Sequence, residues 1–380
     1  MPAAKRIIII GGGAIGTAIA YFLSRRGVRP IVVERHEVGG AASGKSGGFL
    51  ALDWCRCTPF DRLARRSFAL HAELAETLGN PWGYRRLDTF AGEIAATATT
   101  SVSAKGHGPG ATPWLSDRVT ITGRLGSPQT TALVEPRAFT TGLMRAAEAH
   151  GAELRIGTVA SLLRTATGNG SDAVSGVVLD SGETIEGDAV VIAMGPWSIL
   201  ASRWLPLPAV HGLKGHSLVF ETGDAIPAEA LFLEGQEASG ETLTPEIFAR
   251  ADGTVWACAI SSTVALPVDP AAVAPDAGAP ARLEALCRSL SPMLAAAPIV
   301  ARQACFRPVT EDGVPLIGAV PGVAGAYVAT GHSVWGMLNA PATGEAMAEL
   351  ILDGATQHVE LARFKPGRLR AFDPAQLRGG

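Results

Sequence analysis

The stretch that decides the fold is RIIIIGGGAIGTAIAYFLSRRGVRPIVVE, residues 6–34. Ile7–Ile10 form a β-branched run that is too short for a helix and is typical of a strand buried on both faces. Residues 17–26 then carry apolar side chains at helical spacing, and Gly27 ends that pattern. Residues 28–33 predict a second buried strand, so the stretch predicts a strand–helix–strand unit.

The glycines between the first strand and the helix indicate what this unit binds. Gly11, Gly13 and Gly16 form G-x-G-x-x-G, and Glu34 follows about 20 residues later. The first glycine permits a tight turn, the second lets backbone N–H groups approach a pyrophosphate, and the third allows close helix–strand packing. The helix N-terminus adds partial positive charge, and Glu34 can accept hydrogen bonds from a ribose hydroxyl. We interpret the unit as a site for the ADP half of a dinucleotide.

Length and composition exclude several classes of protein. The chain has 380 residues, 47% of them hydrophobic and 18% charged, with a net charge of −3, which is typical of a globular protein and argues against a nucleic-acid partner. No apolar run approaches the roughly 18 residues of a membrane span. We expect no metal site, because C-x-x-C and H-E-x-x-H patterns are missing from the sequence. Five scattered cysteines favour a reducing cytoplasm.

The remaining pattern predicts an α/β fold with an inserted α+β part. Strand and helix signals at the two ends of the chain predict a discontinuous Rossmann-like nucleotide-binding domain, and strands broken by Gly and Pro predict a mostly antiparallel substrate domain. The predicted nucleotide-binding domain comprises residues 1–55, 130–208 and 299–360. The predicted substrate domain comprises residues 56–129 and 209–298, and residues 361–380 form a tail. Within this scheme residues 299–306 are a strand, and residues 307–318 are a loop followed by a short strand.

Two later segments carry a more specific pattern. RPVTEDGVPLIG (307–318) followed by GHSVWGMLNAPATGEAMAELI (331–351) resembles the FAD-dependent amino-acid oxidases, typified by glycine oxidase, sarcosine oxidase and D-amino-acid oxidase. The glycine motif, the Glu34–Arg35 pair, AASGKSGGF (41–49) and VEPRAF (134–139) match the same family in the same order. The SGKSGGF and GHSVWGMLNAPATG versions look most like a poorly characterised branch of that family.

The resemblance implies FAD as the cofactor and assigns its contacts. The ADP half of FAD would lie on the glycine motif, and the middle of the FAD molecule would lie along AASGKSGGF (41–49), which we call the small-residue segment. The isoalloxazine ring would lie against the segment after Gly331. The implied contacts are Gly11, Gly13, Ala14, Ile15, Gly16, Glu34, Arg35, Ala42, Ser43, Lys45, Gly47, Gly48, Phe49, Val159, Gly195, Trp197, Gly331, His332, Ser333, Val334, Trp335, Gly336, Met337 and Leu338. Cys305 falls where sarcosine oxidase attaches its flavin, so a covalent link there is an alternative to the noncovalent FAD that we expect.

The resemblance also implies where a substrate would bind. Arg307 matches the arginine that pairs with the substrate carboxylate in glycine oxidase, and a bidentate guanidinium suits a planar carboxylate. Lys45 and His216, with Lys214, are candidates for a positive charge that helps O₂ accept an electron. Glycine oxidase carries Arg-Asn where this chain has Val334 and Trp335, so we expect a more apolar site around Trp335.

The expected function is an FAD-dependent oxidation of the C–N bond of an amino acid or related amine, with hydride transfer to flavin N5 and reoxidation by O₂ or another acceptor. Three alternatives stay open: a flavoenzyme that acts on a non-amino-acid metabolite, a flavoprotein with a non-catalytic role in trafficking or assembly, and a nicotinamide-only dehydrogenase. The sequence leaves the substrate and the oligomeric state undetermined.

Overall fold

The computed structural model describes residues 5–95, 112–166, 172–236 and 240–377. The helices are α1 (Ala14–Ser24), α2 (Ala42–Lys45), α3 (Asp61–Thr77), α4 (Pro136–Ala149), α5 (Ala279–Leu290), α6 (Pro292–Ala296) and α7 (Gly336–Asp353). Short 3₁₀ segments include Gly195–Arg203 and Ser333–Trp335. Among the helices in these ranges, none has the length and apolar character needed to cross a membrane.

Within the described ranges, the strands group into four sheets. In chain order they are β1 (Ile7–Ile10), β2 (Ile31–Glu34), β3 (Phe49–Ala51), β4 (Arg85–Arg86), β5 (Asp88–Ile94), β6 (Val119–Gly126), β7 (Thr131–Leu133), β8 (Glu153–Ile156), β9 (Val159–Ala166), β10 (Asp172–Leu179), β11 (Thr184–Glu186), β12 (Ala189–Ile192), β13 (Val210–Glu221), β14 (Glu229–Gln236), β15 (Thr242–Leu243), β16 (Glu246–Ala249), β17 (Thr254–Ser262), β18 (Ile299–Thr310), β19 (Leu316–Ala319), β20 (Val323–Ala324) and β21 (Ala326–Thr330).

The first sheet has the order β19-β21-β12-β1-β2-β8 and is parallel except for β19. β1 lies between β12 and β2, and all four of its residues are buried. Ile7 and Ile9 pack against the helical layer, whereas Ile8 and Ile10 pack against β9, β10 and β11 on the opposite face. A parallel sheet needs cover on both faces because both of its faces are apolar. This arrangement confirms the predicted α/β class.

The second large sheet is mostly antiparallel, with the order β18-β13-β17-β16-β14-β5-β6 and β15 beside β14. Its exception is the parallel pair of β5 and β14. One face packs its apolar side chains against α5 and α6, around Leu218, Phe220 and Leu283. The described residues also form two smaller sheets: β9, β10, β11 and β20 cover the first sheet, and β3, β4 and β7 form a three-stranded sheet.

β18 departs from the sequence-based expectation in two respects. It continues through Arg307 to Thr310, where we expected a loop, because it is paired with β13 from Phe220↔Ile299 to Val210↔Thr310. That long partner strand cannot be recognised from the local composition of residues 307–310. The pairing also joins β18 to the large sheet, although residues 299–310 were assigned to the nucleotide-binding domain. The division into domains stays a prediction, with the last boundary better placed near residue 311.

α1, the helix that follows the glycine turn, packs closely against α7. A Cβ added at Gly344 of α7 would lie 2.6 Å from the carbonyl carbon of Ala18 in α1, closer than side-chain carbons approach backbone atoms. Both atoms belong to rigid helices, so neither can move away at low cost.

We expect Gly344→Ala to lower the free energy of unfolding by about 1–3 kcal/mol, since overpacking outweighs the helix propensity that alanine adds. Urea unfolding followed by circular dichroism measures this loss. The matched control is Gly123→Ala on β6, because a Cβ at Gly123 meets no atom within 4 Å. Equal unfolding midpoints for the two variants would contradict this account of the α1–α7 contact.

Candidate active site

A cavity of about 590 Å³ lies between the carboxyl ends of the parallel strands and the large antiparallel sheet. At one end its wall contains the glycine turn after β1 and the end of β2; at the other it contains residues of β16, β17 and β18. Carboxyl ends of parallel strands are where ligands bind in open α/β sheets. The cavity therefore joins a nucleotide-type end to a chemically distinct end within the second sheet.

The glycine turn is shaped for a phosphate group. Gly11 has a φ of 112°, and a Cβ there would collide with the carbonyl oxygen of Ala193. α1 begins after Gly13 with no side-chain cap from its own N-cap residue and no acidic residue in its first turn. The backbone N–H of Ala14 donates to the Ser43 hydroxyl at 2.9 Å. The start of α1 therefore offers a concave, positively polarised surface for an anion.

Glu34 fixes the turn from the neighbouring strand. Its carboxylate accepts the N–H of Gly12 at 2.7 Å and the N–H of His36 at 3.1 Å. Glu34 and Arg35 both line the cavity. The carboxylate thus both tightens the glycine turn and faces the position that a ribose would take in a dinucleotide site.

A segment of the large-sheet region, residues 267–271, closes over this nucleotide-type end. Arg35 donates to the carbonyl of Val268 at 2.9 Å, and the Trp197 indole donates to the carbonyl of Pro267 at 2.7 Å. His36 contacts the Asp269 carboxylate at 2.6 Å. Sequence reasoning did not select this segment, because its contacts with Arg35, His36 and Trp197 join residues far apart in the chain.

The small-residue segment forms a short helix along the cavity wall. α2 is followed by Gly47 and Gly48, and a Cβ at Gly47 would lie 2.5 Å from the Phe248 ring. The backbone carbonyl of Lys45 accepts from the Trp256 indole at 3.0 Å and from Gln303 at 3.1 Å. These bonds attach α2 to the large sheet. In the described part of the chain, no carboxylate lies within 4 Å of the Lys45 ammonium group, which belongs to a residue of the cavity wall.

The segment after β21 faces the cavity from the first sheet. Gly331 and Ser333 have positive φ angles of 82° and 50°, and α7 begins at Gly336. Burial lowers the pKa of His332 to about 3, and its ring is hydrogen bonded to the Thr343 hydroxyl. His332 is therefore neutral at physiological pH, and the electrostatic contribution of this segment comes from the N-terminus of α7.

Arg307 and Cys305 lie on one face of β18 and both line the cavity. Arg307 donates to the Ser261 hydroxyl at 3.3 Å, and no carboxylate of the described residues lies within 4 Å of its guanidinium group. Burial raises the pKa of the Cys305 thiol, against the lowering effect of the Arg307 and Lys45 charges. The thiol form is favoured, which makes Cys305 a poor nucleophile.

Aromatic side chains surround this second end of the cavity. Their rings make a continuous series of contacts with centroid separations of 4.8–6.5 Å, in stacked, tilted and edge-on arrangements. The aromatic wall consists of Phe49, Trp54, Phe232, Phe248, Trp256 and Trp335. Such a wall is suited to a large apolar or aromatic group, and it agrees with the apolar character expected around Trp335.

Most of the residues selected from the sequence lie on the cavity wall. Two of the expected FAD contacts do not. Gly16 packs against the Gly11 carbonyl oxygen beneath the turn, and Leu338 is fully buried in the hydrophobic core. The expected residues that line the cavity are Gly11, Gly13, Ala14, Ile15, Glu34, Arg35, Ala42, Ser43, Lys45, Gly47, Gly48, Phe49, Val159, Gly195, Trp197, His216, Gly331, His332, Ser333, Val334, Trp335, Gly336, Met337, Cys305 and Arg307.

Two of the basic candidates are engaged by the protein itself. Lys214 forms an ion pair with Asp276 at 2.5 Å and is absent from the cavity wall. His216 reaches the wall, but its Nδ1 donates to the carbonyl of Ile260 at 3.2 Å and its Nε2 accepts the N–H of Asp276 at 3.1 Å. Neither residue therefore offers a free cation, which leaves Lys45 and Arg307 as the positive groups that the described residues place at this end.

Sequence reasoning missed Glu246, Cys258, Phe232, Phe248 and Trp256. They reach the site from β14, β16 and β17. The sequence pattern placed these strands in the substrate domain but did not predict which of their residues pair. The alternation E-x-F in β16 and W-x-C in β17 was the available signal, since residues two apart share a face of a strand.

Comparison with known proteins decides the family. The sequence profile of the DAO family, described as FAD dependent oxidoreductase, matches residues 6–350. The chain belongs to the DAO family of FAD-dependent oxidoreductases. It is 28% identical to a glycine oxidase of Pseudomonas aeruginosa, covering 96% of this chain and all of the relative, and 27% identical to a putative oxidoreductase of Schizosaccharomyces pombe, covering 96% and 99%. The structure is similar to that of glycine oxidase from Geobacillus kaustophilus, with a TM-score of 0.79 at 24% identity, covering 96% of this chain and all of the other.

The cavity of this DAO-family enzyme fits FAD on its own residues. Gly11 forms a turn in which a Cβ would collide with Ala193, the start of α1 has no side-chain cap from Gly13 and suits the pyrophosphate, and Glu34 suits the ribose. The segment 331–337 and the start of α7 would face the isoalloxazine ring. When bound, FAD supplies a two-electron acceptor at this end of the cavity.

We expect the flavin to be released when the purified protein is precipitated with acid, because the raised pKa of Cys305 disfavours the thiolate needed for a covalent link. Absorbance of the supernatant and of the redissolved pellet near the flavin maxima measures the partition. Cys305→Ser serves as the matched control and should give the same supernatant colour. Flavin that stays in the wild-type pellet but leaves the Cys305→Ser pellet would contradict this expectation.

Proposed function

We propose that this enzyme oxidises the C–N bond of an amine that also carries a carboxylate, that is, an amino acid or a close relative. The observation that carries the proposal is Arg307, whose guanidinium group belongs to the cavity wall with a hydroxyl as its protein partner and no carboxylate within 4 Å in the described residues. A guanidinium group presents paired donors that match a planar carboxylate. The Pseudomonas aeruginosa relative is a glycine oxidase, which supports the same class of substrate.

The geometry supports a positioning role for Arg307. Holding the substrate carboxylate would fix the orientation of the neighbouring carbon, whose C–H bond must point towards the flavin. Oxidation of the neutral amine would remove that hydrogen as a hydride, for which FAD would be the acceptor, and would release one proton from nitrogen to water. The imine that remains is hydrolysed by water to a carbonyl product and ammonia, or to a carbonyl product and methylamine for an N-methyl substrate. The aromatic wall favours a substrate with a large apolar substituent.

The surrounding charges support the transfer of electrons out of the site. Lys45 has no carboxylate partner among the described residues, so its charge is available to stabilise an anion near the cavity. The N-terminus of α7 adds a second source of positive potential, while the low pKa of His332 keeps that ring neutral. We propose O₂ or another small acceptor as the oxidant of the reduced enzyme.

The test of the substrate class is anaerobic addition of a panel of L- and D-amino acids and N-methyl amino acids to the FAD-loaded enzyme. We expect at least one aromatic or large aliphatic member to bleach the flavin absorbance, and matching 2-hydroxy acids to leave it unchanged. Re-admission of air, with an oxygen electrode, distinguishes an oxidase from a dehydrogenase. A flavin that no amine reduces would contradict the proposal and favour the non-catalytic role.

Arg307→Ala should lower kcat/KM for the reducing amine about 100-fold, because two charge-assisted hydrogen bonds of about 1.5 kcal/mol each are lost. Arg302→Ala is the matched control, since Arg302 lies on the opposite face of the same strand and pairs with Glu284. Steady-state kinetics of both variants measure the difference. Equal losses in the two variants would contradict a carboxylate site at Arg307.

A further inference from the structure

We propose that Glu246 is a specificity residue that binds the positively charged nitrogen of the substrate while Arg307 binds its carboxylate. This role rests on the proposed function and adds to it a group that binds the substrate nitrogen. It makes the cavity selective for zwitterionic substrates over acids of the same shape that lack a cationic nitrogen.

The register of the large sheet places Glu246 among the groups of the substrate end. Glu246 is directly opposite Phe232 on one side and Cys258 on the other. Phe248, two residues further along the same strand, is opposite Trp256. Directly opposite residues in an antiparallel pair share a face, so Glu246 emerges from the aromatic wall itself. All of these side chains line the cavity.

Few protein groups form hydrogen bonds or ion pairs with the carboxyl group of Glu246. Its one hydrogen-bond partner in the described structure is the Cys258 thiol, at 3.7 Å, and no lysine, arginine or histidine of the described residues lies within 4 Å. Burial raises the pKa of Glu246, and the charge of Arg307 acts in the opposite direction without an ion pair. An uncompensated buried carboxylate is costly, so the arrangement calls for a cation from elsewhere.

A substrate zwitterion supplies that cation. Arg307 is close enough to influence the pKa of Glu246 but forms no ion pair with it, so a cation and a carboxylate face the same cavity without neutralising each other. An ammonium group between these two charges would face the Glu246 carboxylate beside the aromatic wall, in which the Phe248 ring is itself stacked with Phe49 and Trp256. The charges at this end of the cavity therefore favour a protonated amine next to a carboxylate.

The experiment compares wild type, Glu246→Gln and Glu221→Gln, all loaded with FAD. Glu221 is an exposed residue of β13 and provides the control. The probes are the two enantiomers of phenylalanine, N-methylphenylalanine, and phenyllactate, which keeps the carboxylate and the ring but has a hydroxyl in place of the amine. Binding is followed anaerobically by the flavin absorbance spectrum and by the fluorescence of the cavity tryptophans.

We expect wild type to bind at least one amine probe ten-fold or more tightly than phenyllactate. Glu246→Gln should remove that difference by weakening the amine, while phenyllactate binds as well as before or better. Glu221→Gln should match wild type. Failure of every probe to bind wild type, equal affinity of amine and phenyllactate, or a preference that survives Glu246→Gln would each overturn the proposal. An amine that binds through Glu246 but leaves the flavin oxidised would instead contradict the proposed function.

Thermal unfolding without ligand gives a second, independent measurement. Because the pKa of Glu246 is raised in the folded protein, the neutral form is the stabilising one; its contribution is complete below about pH 4.5 and is lost as the pH rises through the raised pKa. Glu246→Gln should therefore melt at a higher temperature than wild type at pH 8, and the difference should disappear near pH 4.5. A lower melting temperature at both pH values would show that Glu246 is a structural partner and overturn the proposal.

Discussion

The rest of the structure depends on the close contact between α1 and the glycine turn that precedes it. A Cβ at Gly16 would collide with the carbonyl oxygen of Gly11, and one at Gly11 would collide with Ala193 at the end of β12. These contacts hold β1, α1 and β12 close together, so that the start of α1 opens directly into the cavity. Gly344 then extends the close packing from α1 to α7, whose N-terminus faces the other end of the same cavity. Two helix termini are in this way aimed at a single site.

The two ends of the cavity use different physical means. The nucleotide-type end relies on backbone N–H groups, the dipole of α1 and one carboxylate, Glu34, which are features of local chain geometry. The substrate end relies on side chains of separate strands brought together by sheet register: Glu246, Arg307 and the aromatic wall. The first kind of site tolerates little change, whereas the second can change its chemistry through single residues. This division explains how one family can retain a cofactor while its members act on different amines.

The nucleotide-type end could be predicted from the sequence more fully than the substrate end. The turn at Gly11, the role of Gly16 in packing and the fold class depend on residues close together in the chain, and they were predicted from the spacing of glycines and buried strands. Glu246 could not be selected, because its environment depends on the pairing of β16 with β14 and β17, and register is set by long-range contacts. The strand assignment of Arg307 and the engagement of Lys214 and His216 by Asp276 were missed for the same reason.

We propose that the flavin ring lies against the segment after Gly331 and that the substrate lies between Arg307 and Glu246. A crystal structure of the FAD-loaded enzyme with an amine probe tests it most directly. We expect the isoalloxazine ring against residues 331–337, the carboxylate of the probe on Arg307 and its nitrogen facing Glu246. A ring placed elsewhere in the cavity, or a probe whose carboxylate lies away from Arg307, would contradict it.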